Sequence, residues 1–322
     1  MLKYKADLKT LLFMTITTCL FAFMWVSWNN PDSILWTGGT LVFAGLYIWH
    51  LFMAVTVSVI AHNTMHVSIF KSEPLNRLME YWITLFYGTP VFGWIPTHNR
   101  NHHKHNNKEP DYTKTYRFTE RNELWVLLIY PFVSNYYQSI ANKEFLQERY
   151  RKNRGEFWRF ISQIVVLLAW VGTFLYLNWV AAIFLVIIPH QASLYTVVVF
   201  NFVQHVHADE ESEYNHSRNI TASHIFSLNW FLFNNGYHTV HHMNANMHWS
   251  LAKEAHEKIE HKIDPSLNEP YFWGYIFKAY IFAPFNKRFR TKSMRLERKE
   301  KEANQGKPSV EGIQEPVTAT TH

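Results

Sequence analysis

Cysteine is almost absent from this chain of 322 residues, because Cys19 is the only one. A single cysteine excludes an intrachain disulfide and a cysteine-rich zinc or iron–sulfur site. A cleavable signal is missing too: Lys3, Lys5 and Lys9 precede an apolar run, but no small-residue cleavage site follows it. We therefore interpret that run as a retained membrane helix. The HExxH pattern of zinc proteases is absent, since Asn63 stands where the glutamate would be needed.

Charged residues are few and unevenly spread. They make up 17% of the chain and hydrophobic residues 48%, yet the mean hydropathy is slightly negative. The average is low because long apolar runs alternate with strongly charged loops, as in a membrane protein with large wet regions. Four runs have about the length needed to cross a bilayer. They lie near residues 11–28, 34–60, 161–177 and 180–200.

The four runs fall into two pairs, each with a short connection. We expect an all-α integral membrane fold, with about four transmembrane helices in two hairpins and a cytosolic helical cap. Between the pairs, residues 143–159 are polar and basic, which predicts a surface helix.

Lysine and arginine predict the orientation of the spans. The connections at 28–35 and 178–179 carry neither residue, whereas the N-terminus, the 61–158 segment and the C-terminal region carry nearly all of them. The positive-inside rule then places both termini and both large loops in the cytosol. We assign residues 1–290 to one membrane domain. We expect residues 291–322 to form a disordered cytosolic tail, because they are charged and then rich in Gln, Gly, Pro, Ser and Thr.

Histidine is unusually frequent, with 19 residues, and several of them form three short motifs, HxxxH, HxxxHH and HxxHH. On a helix, residues three and four apart share a face, so each motif can direct its imidazoles at one centre. A further histidine follows the fourth span. The nine candidate ligands are His62 and His66, then His98, His102 and His103, then His205, and finally His238, His241 and His242.

All nine histidines fall on the predicted cytosolic side, so they can meet at one membrane face. Neutral imidazole suits iron, zinc, copper and nickel. Nine ligands are too many for one ion, but they fit two ions with four or five ligands each. A single HxxxH pair at a helix end is usually ordinary surface histidine, whereas three motifs on one face favour a metal site. A pair of iron ions is the economical interpretation, because a lipid-embedded substrate is hard to modify without a powerful oxidant.

These motifs, in this order and after these spans, resemble the membrane fatty acid desaturase superfamily, which includes acyl desaturases, alkane monooxygenases, and carotenoid hydroxylases and ketolases. The resemblance covers most of residues 35–285 and implies that the eight motif histidines are iron ligands. Asn201-x-x-x-His205 looks like the family's additional Asn/His element, which implies that His205 is the ninth ligand, with His207 as a rival. Residues that could orient the ligands from behind are Asn201, His207, Asp209 and Asp111.

Within the superfamily the features are mixed. The third motif follows Asn234-Asn235-Gly236 and looks like that of acyl and sphingolipid desaturases. The second motif and the Asn201–His205 element look closer to the alkane monooxygenases, although four spans are predicted where that subfamily has six. No heme-binding His-Pro-Gly-Gly motif occurs, so we expect no fused b-type cytochrome domain.

The resemblance implies an oxygen-dependent desaturase with two ferrous ions, which introduces a double bond into the acyl chain of an acyl-lipid, acyl-CoA or acyl-carrier protein. It also implies an external electron donor, either ferredoxin or a b-type cytochrome, and surrounding membrane lipids; we expect no nucleic-acid partner. The alternative is a di-iron hydroxylase or monooxygenase acting on alkane, fatty acid, sterol or carotenoid. A metal-binding or metal-transporting membrane protein is an alternative of another class. The single-domain build favours a bacterial inner membrane over the endoplasmic reticulum.

Overall fold

The computed structural model describes residues 1–224 and 227–305, which are mostly helical. The α-helices are α1 (Asp7–Trp28), α2 (Ile34–Thr37), α3 (Gly39–His66), α4 (Glu73–Tyr87), α5 (His103–His105), α6 (Leu124–Lys152), α7 (Arg154–Leu177), α8 (Trp179–Ala182), α9 (Ile188–His205), α10 (Leu228–Phe231), α11 (His238–Met243), α12 (Ala252–Ile259), α13 (Phe272–Ile276) and α14 (Met294–Gln305). Two short strands, β1 (Asn219–Ile220) and β2 (Asn268–Glu269), pair in parallel.

Other helical turns connect these elements. The π-helical turns are Ile95–His102, Ile183–Ile187 and Phe277–Phe282. The 3₁₀ turns are Val91–Gly93, Trp249–Leu251, Glu260–Lys262, Pro265–Leu267 and Lys287–Phe289.

Four helical segments of the described chain are long and apolar enough to cross a membrane. They are α1, α3, α7 and the continuous segment Trp179–His205, which contains α8 and α9. The structure confirms that the chain is mostly helical and that four segments have the length and composition of membrane spans. α3 packs against α1, α4 and α9 and is half buried, whereas only 11% of the apolar window of α7 is buried. α7 therefore lies at the edge of the bundle, where its apolar side chains can face lipid.

Each span extends further than its apolar run at the end that lies nearer the histidines. α3 continues to His66 and α9 to His205, although the apolar runs stop near residues 60 and 200. α7 likewise begins at Arg154, before the predicted start at residue 161. The helices continue because the polar residues at these ends, such as His62 and His205, are buried within the protein and are not in contact with lipid.

The predicted surface helix at residues 143–159 differs from the structure. α6 begins at Leu124, runs for 29 residues and ends at Lys152. Asn153 then begins α7, because its side chain accepts a hydrogen bond from the backbone N–H of Glu156 at 3.2 Å and caps the new helix. The capping residue therefore divides the basic stretch between two helices.

The two short connections between spans lie at the same end of the bundle. Asn178, between α7 and α8, donates a hydrogen bond from Nδ2 to Oδ1 of Asn29, which follows α1, at 2.7 Å. The opposite ends of α3 and α9 carry the first histidine motif and His205.

A buried polar network holds the chain that precedes the second histidine motif. Arg159 on α7 donates from Nε to Glu80 Oε2 on α4 at 2.8 Å, and Gln163 Nε2 donates to the same oxygen at 3.1 Å. The side-chain Oε1 of Gln163 accepts a hydrogen bond from the backbone N–H of Phe92 at 3.1 Å. These bonds join α4, α7 and the Val91–Gly93 turn, and so fix the chain that leads into the second motif.

Residues 291–322 were predicted to be a disordered tail, but the structure has a helix, α14, in the first part of this segment. α14 is helical and is held by ion pairs that local composition does not reveal. Arg295 Nε lies 3.1 Å from Glu210 Oε1, and Arg298 Nε lies 2.8 Å from Asp209 Oδ1; Arg295 also pairs with Glu120. The rest of the predicted tail, residues 306–322, lies outside the described residues.

Candidate metal centre

The first histidine motif occupies the last turn of α3. His62 and His66 are one turn apart, and their ring centroids lie 5.0 Å from each other. Because α3 is packed on several sides by other helices, both rings point into the protein. Nε2 of His62 lies 2.9 Å from Nε2 of His241, so the first and third motifs meet directly.

The second motif is wound as a π-helix over Ile95–His102 and not as the α-helix that its spacing suggested. In a π-helix the i→i+5 hydrogen bond brings residue i+5 back over residue i, whereas an α-helix would rotate it away by about 140°. As a result, Nε2 of His98 lies 3.0 Å from Nε2 of His103. His102, between them in sequence, is directed to a separate group of histidines.

The third motif is also divided. His238, His241 and His242 lie on the short helix α11. His241 faces the first motif, whereas Nε2 of His238 lies 2.9 Å from Nε2 of His205 at the end of α9. α11 therefore contributes to both sides of the centre.

All nine histidines predicted as ligands come together in two groups, with potential ligand atoms within 4.8 Å of one another in each. The five-histidine group consists of His62, His66, His98, His103 and His241. The four-histidine group consists of His102, His205, His238 and His242. The groups are adjacent, since the ring centroids of His103 and His242 lie 4.5 Å apart.

The residues present fit two transition-metal ions. Ligand nitrogens about 2.1 Å from an ion and at right angles would be about 3.0 Å apart, close to the Nε2 separations above. Nε2 of His66, His102 and His242 is buried without a hydrogen-bond partner, which costs free energy unless an ion occupies the centre. A donor set of imidazoles alone suits iron, zinc, copper or nickel rather than calcium or magnesium, which prefer oxygen.

Five of the nine imidazoles are held in the neutral form that binds metal. Burial, followed by repulsion from neighbouring histidines, lowers the pKa values of His98, His238 and His241 well below the usual range. The same causes lower the pKa values of His103 and His242. Each ring therefore keeps a nitrogen lone pair at physiological pH.

Asp111 lies behind the four-histidine group. Its Oδ2 accepts from Nδ1 of His102 at 2.9 Å and from the backbone N–H of Asn107 at 2.7 Å. Its Oδ1 accepts from the backbone N–H of Thr113 at 2.7 Å and from the Thr113 hydroxyl at 2.8 Å. Burial alone would raise the pKa of Asp111, but His102 and the hydrogen bonds lower it to about 2. The carboxylate is therefore ionised and leaves Nε2 of His102 free to face the centre.

The other residues predicted to lie behind the ligands have different surroundings. His207 adopts a positive φ of 64°, and its Nε2 lies 3.0 Å from the carbonyl oxygen of Glu120, outside both groups. Asp209 pairs with Arg298 on α14. Asn201 donates to the hydroxyl of Tyr130 at 3.1 Å.

Arg218 is a supporting residue that the sequence reasoning missed. It is fully buried, and its Nη1 donates to the carbonyl oxygens of Val203 and Val206 at 2.8 and 3.0 Å. Its backbone N–H also donates to Gln204 at 2.6 Å. These bonds satisfy the last carbonyls of α9 on either side of His205 and so hold that ring in place. No local sequence pattern distinguishes this arginine from a surface one.

A cavity of about 350 Å³ opens onto the centre between α3, α6 and α9. His62 and His98 of the five-histidine group and His238 of the four-histidine group all line it. Its apolar wall includes Leu194 and Val198 of α9. A lipid chain in this cavity would therefore reach both groups of histidines.

The helical bundle and the two histidine groups are typical of a class of membrane protein whose histidines can hold two metal ions. A profile of the fatty acid desaturase family matches residues 34–275, and the chain belongs to that family. The match contains all three histidine motifs and confirms the resemblance that they indicated. No curated protein and no solved structure matches the chain significantly. The family is one of oxidoreductases of desaturase or hydroxylase type, typically with two iron ions, acyl substrates and a membrane location.

Proposed function

We propose that this protein is an oxygen-dependent di-iron desaturase that introduces a double bond into an acyl chain. The observation that carries the proposal is the placement of both histidine groups at one cavity. Two iron ions held there would supply the oxidising power to remove hydrogen from an unactivated methylene, using dioxygen and external electrons.

The chain itself positions the substrate. Val59, Leu194 and Val198 line the cavity with aliphatic side chains, and the ring of Trp94 packs edge-on to His98 at 4.9 Å between centroids. A chain bound along this wall would be held beside His62 and His238, one from each group. Fixing the methylenes at this point reduces the entropy that the reaction step must lose.

A hydroxylase is the second proposal, because it would use the same ligands and the same cavity. The feature that favours it is the Asn201–His205 element, which resembles that of the alkane monooxygenases. Asn201 lines the cavity and His205 belongs to the four-histidine group. A metal transporter is less well supported, since the histidines deep in the spans contact backbone carbonyls. His50 Nε2 lies 3.0 Å from Leu185 O, and His190 Nε2 lies 2.8 Å from Leu85 O.

We propose two membrane hairpins with both termini in the cytosol. The contact between Asn178 and Asn29 supports this arrangement, because it joins the two lysine- and arginine-free connections at the end opposite the histidines. A bacterial inner membrane and a ferredoxin or b-type cytochrome donor complete the proposal, with an acyl-lipid, acyl-CoA or acyl-carrier protein as substrate.

The test is product analysis with purified protein loaded with ferrous iron, supplied with oxygen, ferredoxin and its reductase, and matched acyl substrates. Loss of two hydrogens from the acyl chain supports desaturation, and gain of one oxygen supports the hydroxylase instead. His241→Ala should abolish either product, whereas His261→Ala, at an exposed histidine, should not. Absence of any oxidised lipid from protein that retains its iron would contradict both proposals.

A further inference from the structure

One wall of the cavity carries a row of uncharged amide side chains. Asn135, Gln138 and Asn142 are spaced three and four residues apart on α6, so they share one helix face, and all three line the cavity. Gln191 on α9 lines the same cavity. We call these four residues the amide face.

No charged side chain lies beside the amide face. Within residues 1–224 and 227–305, no Asp, Glu, Lys or Arg side chain lines the cavity. A carboxylate or phosphate group held against the amide face would meet no charged side chain of the protein there, so the protein would not compensate its lost hydration.

Part of this amide face has no partner in the protein. Oδ1 of Asn142 is buried and makes no hydrogen bond. An added Cβ at Gly93 would lie 3.2 Å from that oxygen, so the glycine allows the Asn142 amide to pack closely against the backbone here. Gln138 makes a hydrogen bond to Ser134 Oγ at 3.0 Å through its Nε2. A buried amide oxygen is stabilised when a donor reaches it, and a hydroxyl or amide N–H of a bound ligand would supply one from the cavity.

From these observations we propose that the amide face binds an uncharged hydrogen-bonding group of the substrate, either a hydroxyl or a carboxamide attached to the acyl chain. The inference rests on the proposed function, because it takes the cavity as the place where a lipid chain meets the metal centre. The apolar wall at Leu194 and Val198 would hold the chain, and the amide face would hold the polar group beside it. The site then discriminates against free fatty acids and plain alkanes.

Equilibrium binding tests this on the full-length holoprotein in lipid nanodiscs, without reductant so that no turnover occurs. The probes are radiolabelled palmitamide, hexadecanol, palmitate and hexadecane, which share a chain length. The amide or the alcohol should bind about tenfold more tightly than the acid and the alkane, the amount expected when one buried hydrogen bond is formed. Whichever of the two binds more tightly identifies the polar group. Equal or tighter binding of palmitate or hexadecane would overturn the inference.

The variant Asn142→Leu combined with Gln138→Leu should lose the preference while hexadecane still binds, which shows that the cavity is intact. Gln191→Leu, on a different helix, should weaken the preference on its own. This single variant provides the test if the double variant does not fold. Gln147→Leu, exposed on α6 and outside the cavity, is the matched control and should keep it. A preference that survives in the double variant and in Gln191→Leu overturns the inference.

The binding assay and the product analysis test the inference and the proposed function separately. A preference for the amide or alcohol in an iron-loaded protein that oxidises no lipid would contradict the proposed function alone. Efficient oxidation of palmitate or hexadecane with no such preference would contradict this inference alone.

Discussion

Replacing Asp111 with asparagine removes the charge behind His102 while keeping the shape of the side chain. The carboxylate accepts four hydrogen bonds, from His102 Nδ1, from two backbone N–H groups and from the Thr113 hydroxyl, at 2.7–2.9 Å. An amide has only one oxygen, so its NH₂ group must face two of these donors. At the Oδ1 position one of them is the Thr113 hydroxyl, which can turn to accept, and the backbone N–H of Thr113 is left without an acceptor.

The expected effect of Asp111→Asn follows from those contacts. Loss of one buried, charge-assisted hydrogen bond costs about 1.5–3 kcal/mol, and the donor left without a partner adds to that cost. We therefore expect the free energy of unfolding to fall by about 2–4 kcal/mol. Since His102 belongs to the four-histidine group, metal affinity there should fall about 10- to 100-fold, while the five-histidine group keeps its ion.

The assay is metal content after equilibration with a competing chelator, together with thermal unfolding in detergent. Asp209→Asn is the matched control, because Asp209 pairs with Arg298 rather than with a histidine. It should leave metal content unchanged. An Asp111→Asn protein that holds both ions as tightly as the unmodified chain would refute the role assigned to this carboxylate.

Three further predictions concern the centre and its support. His205→Ala should halve the metal content by disabling the four-histidine group, whereas His207→Ala should retain both ions; elemental analysis distinguishes them. Arg218→Met should lower the free energy of unfolding by about 2–4 kcal/mol, because the last carbonyls of α9 lose a buried donor, and thermal unfolding would measure it. An unchanged melting temperature would count against that capping role. Removing metal with a chelator should lower the melting temperature, and ferrous iron but not calcium should restore it.

The grouping of the nine histidines was predictable because imidazole chemistry and motif spacing are local properties of the sequence. The choice between His205 and His207 was not, because they are only two residues apart. α9 ends at His205, and the positive φ of His207 turns its ring toward Glu120. Nor does the spacing of the second motif reveal its π-helical winding, which divides His102 from His98 and His103.

Long-range contacts account for the other differences. α14 has the composition of a disordered tail, yet Arg295 and Arg298 meet acidic residues far away in the sequence. The local sequence does not distinguish Arg218 from a surface arginine, because its contact with the end of α9 forms only in the folded chain. The hydrophobic pattern predicted the four spans because burial in lipid depends mainly on local composition.

The most direct test of the account is the metal content of the purified full-length protein, measured beside His241→Ala. The account predicts about two iron ions per chain and a marked loss in the variant, because His241 belongs to the five-histidine group and lies 2.9 Å from His62. One zinc ion per chain, or a metal content that does not depend on His241, would contradict it.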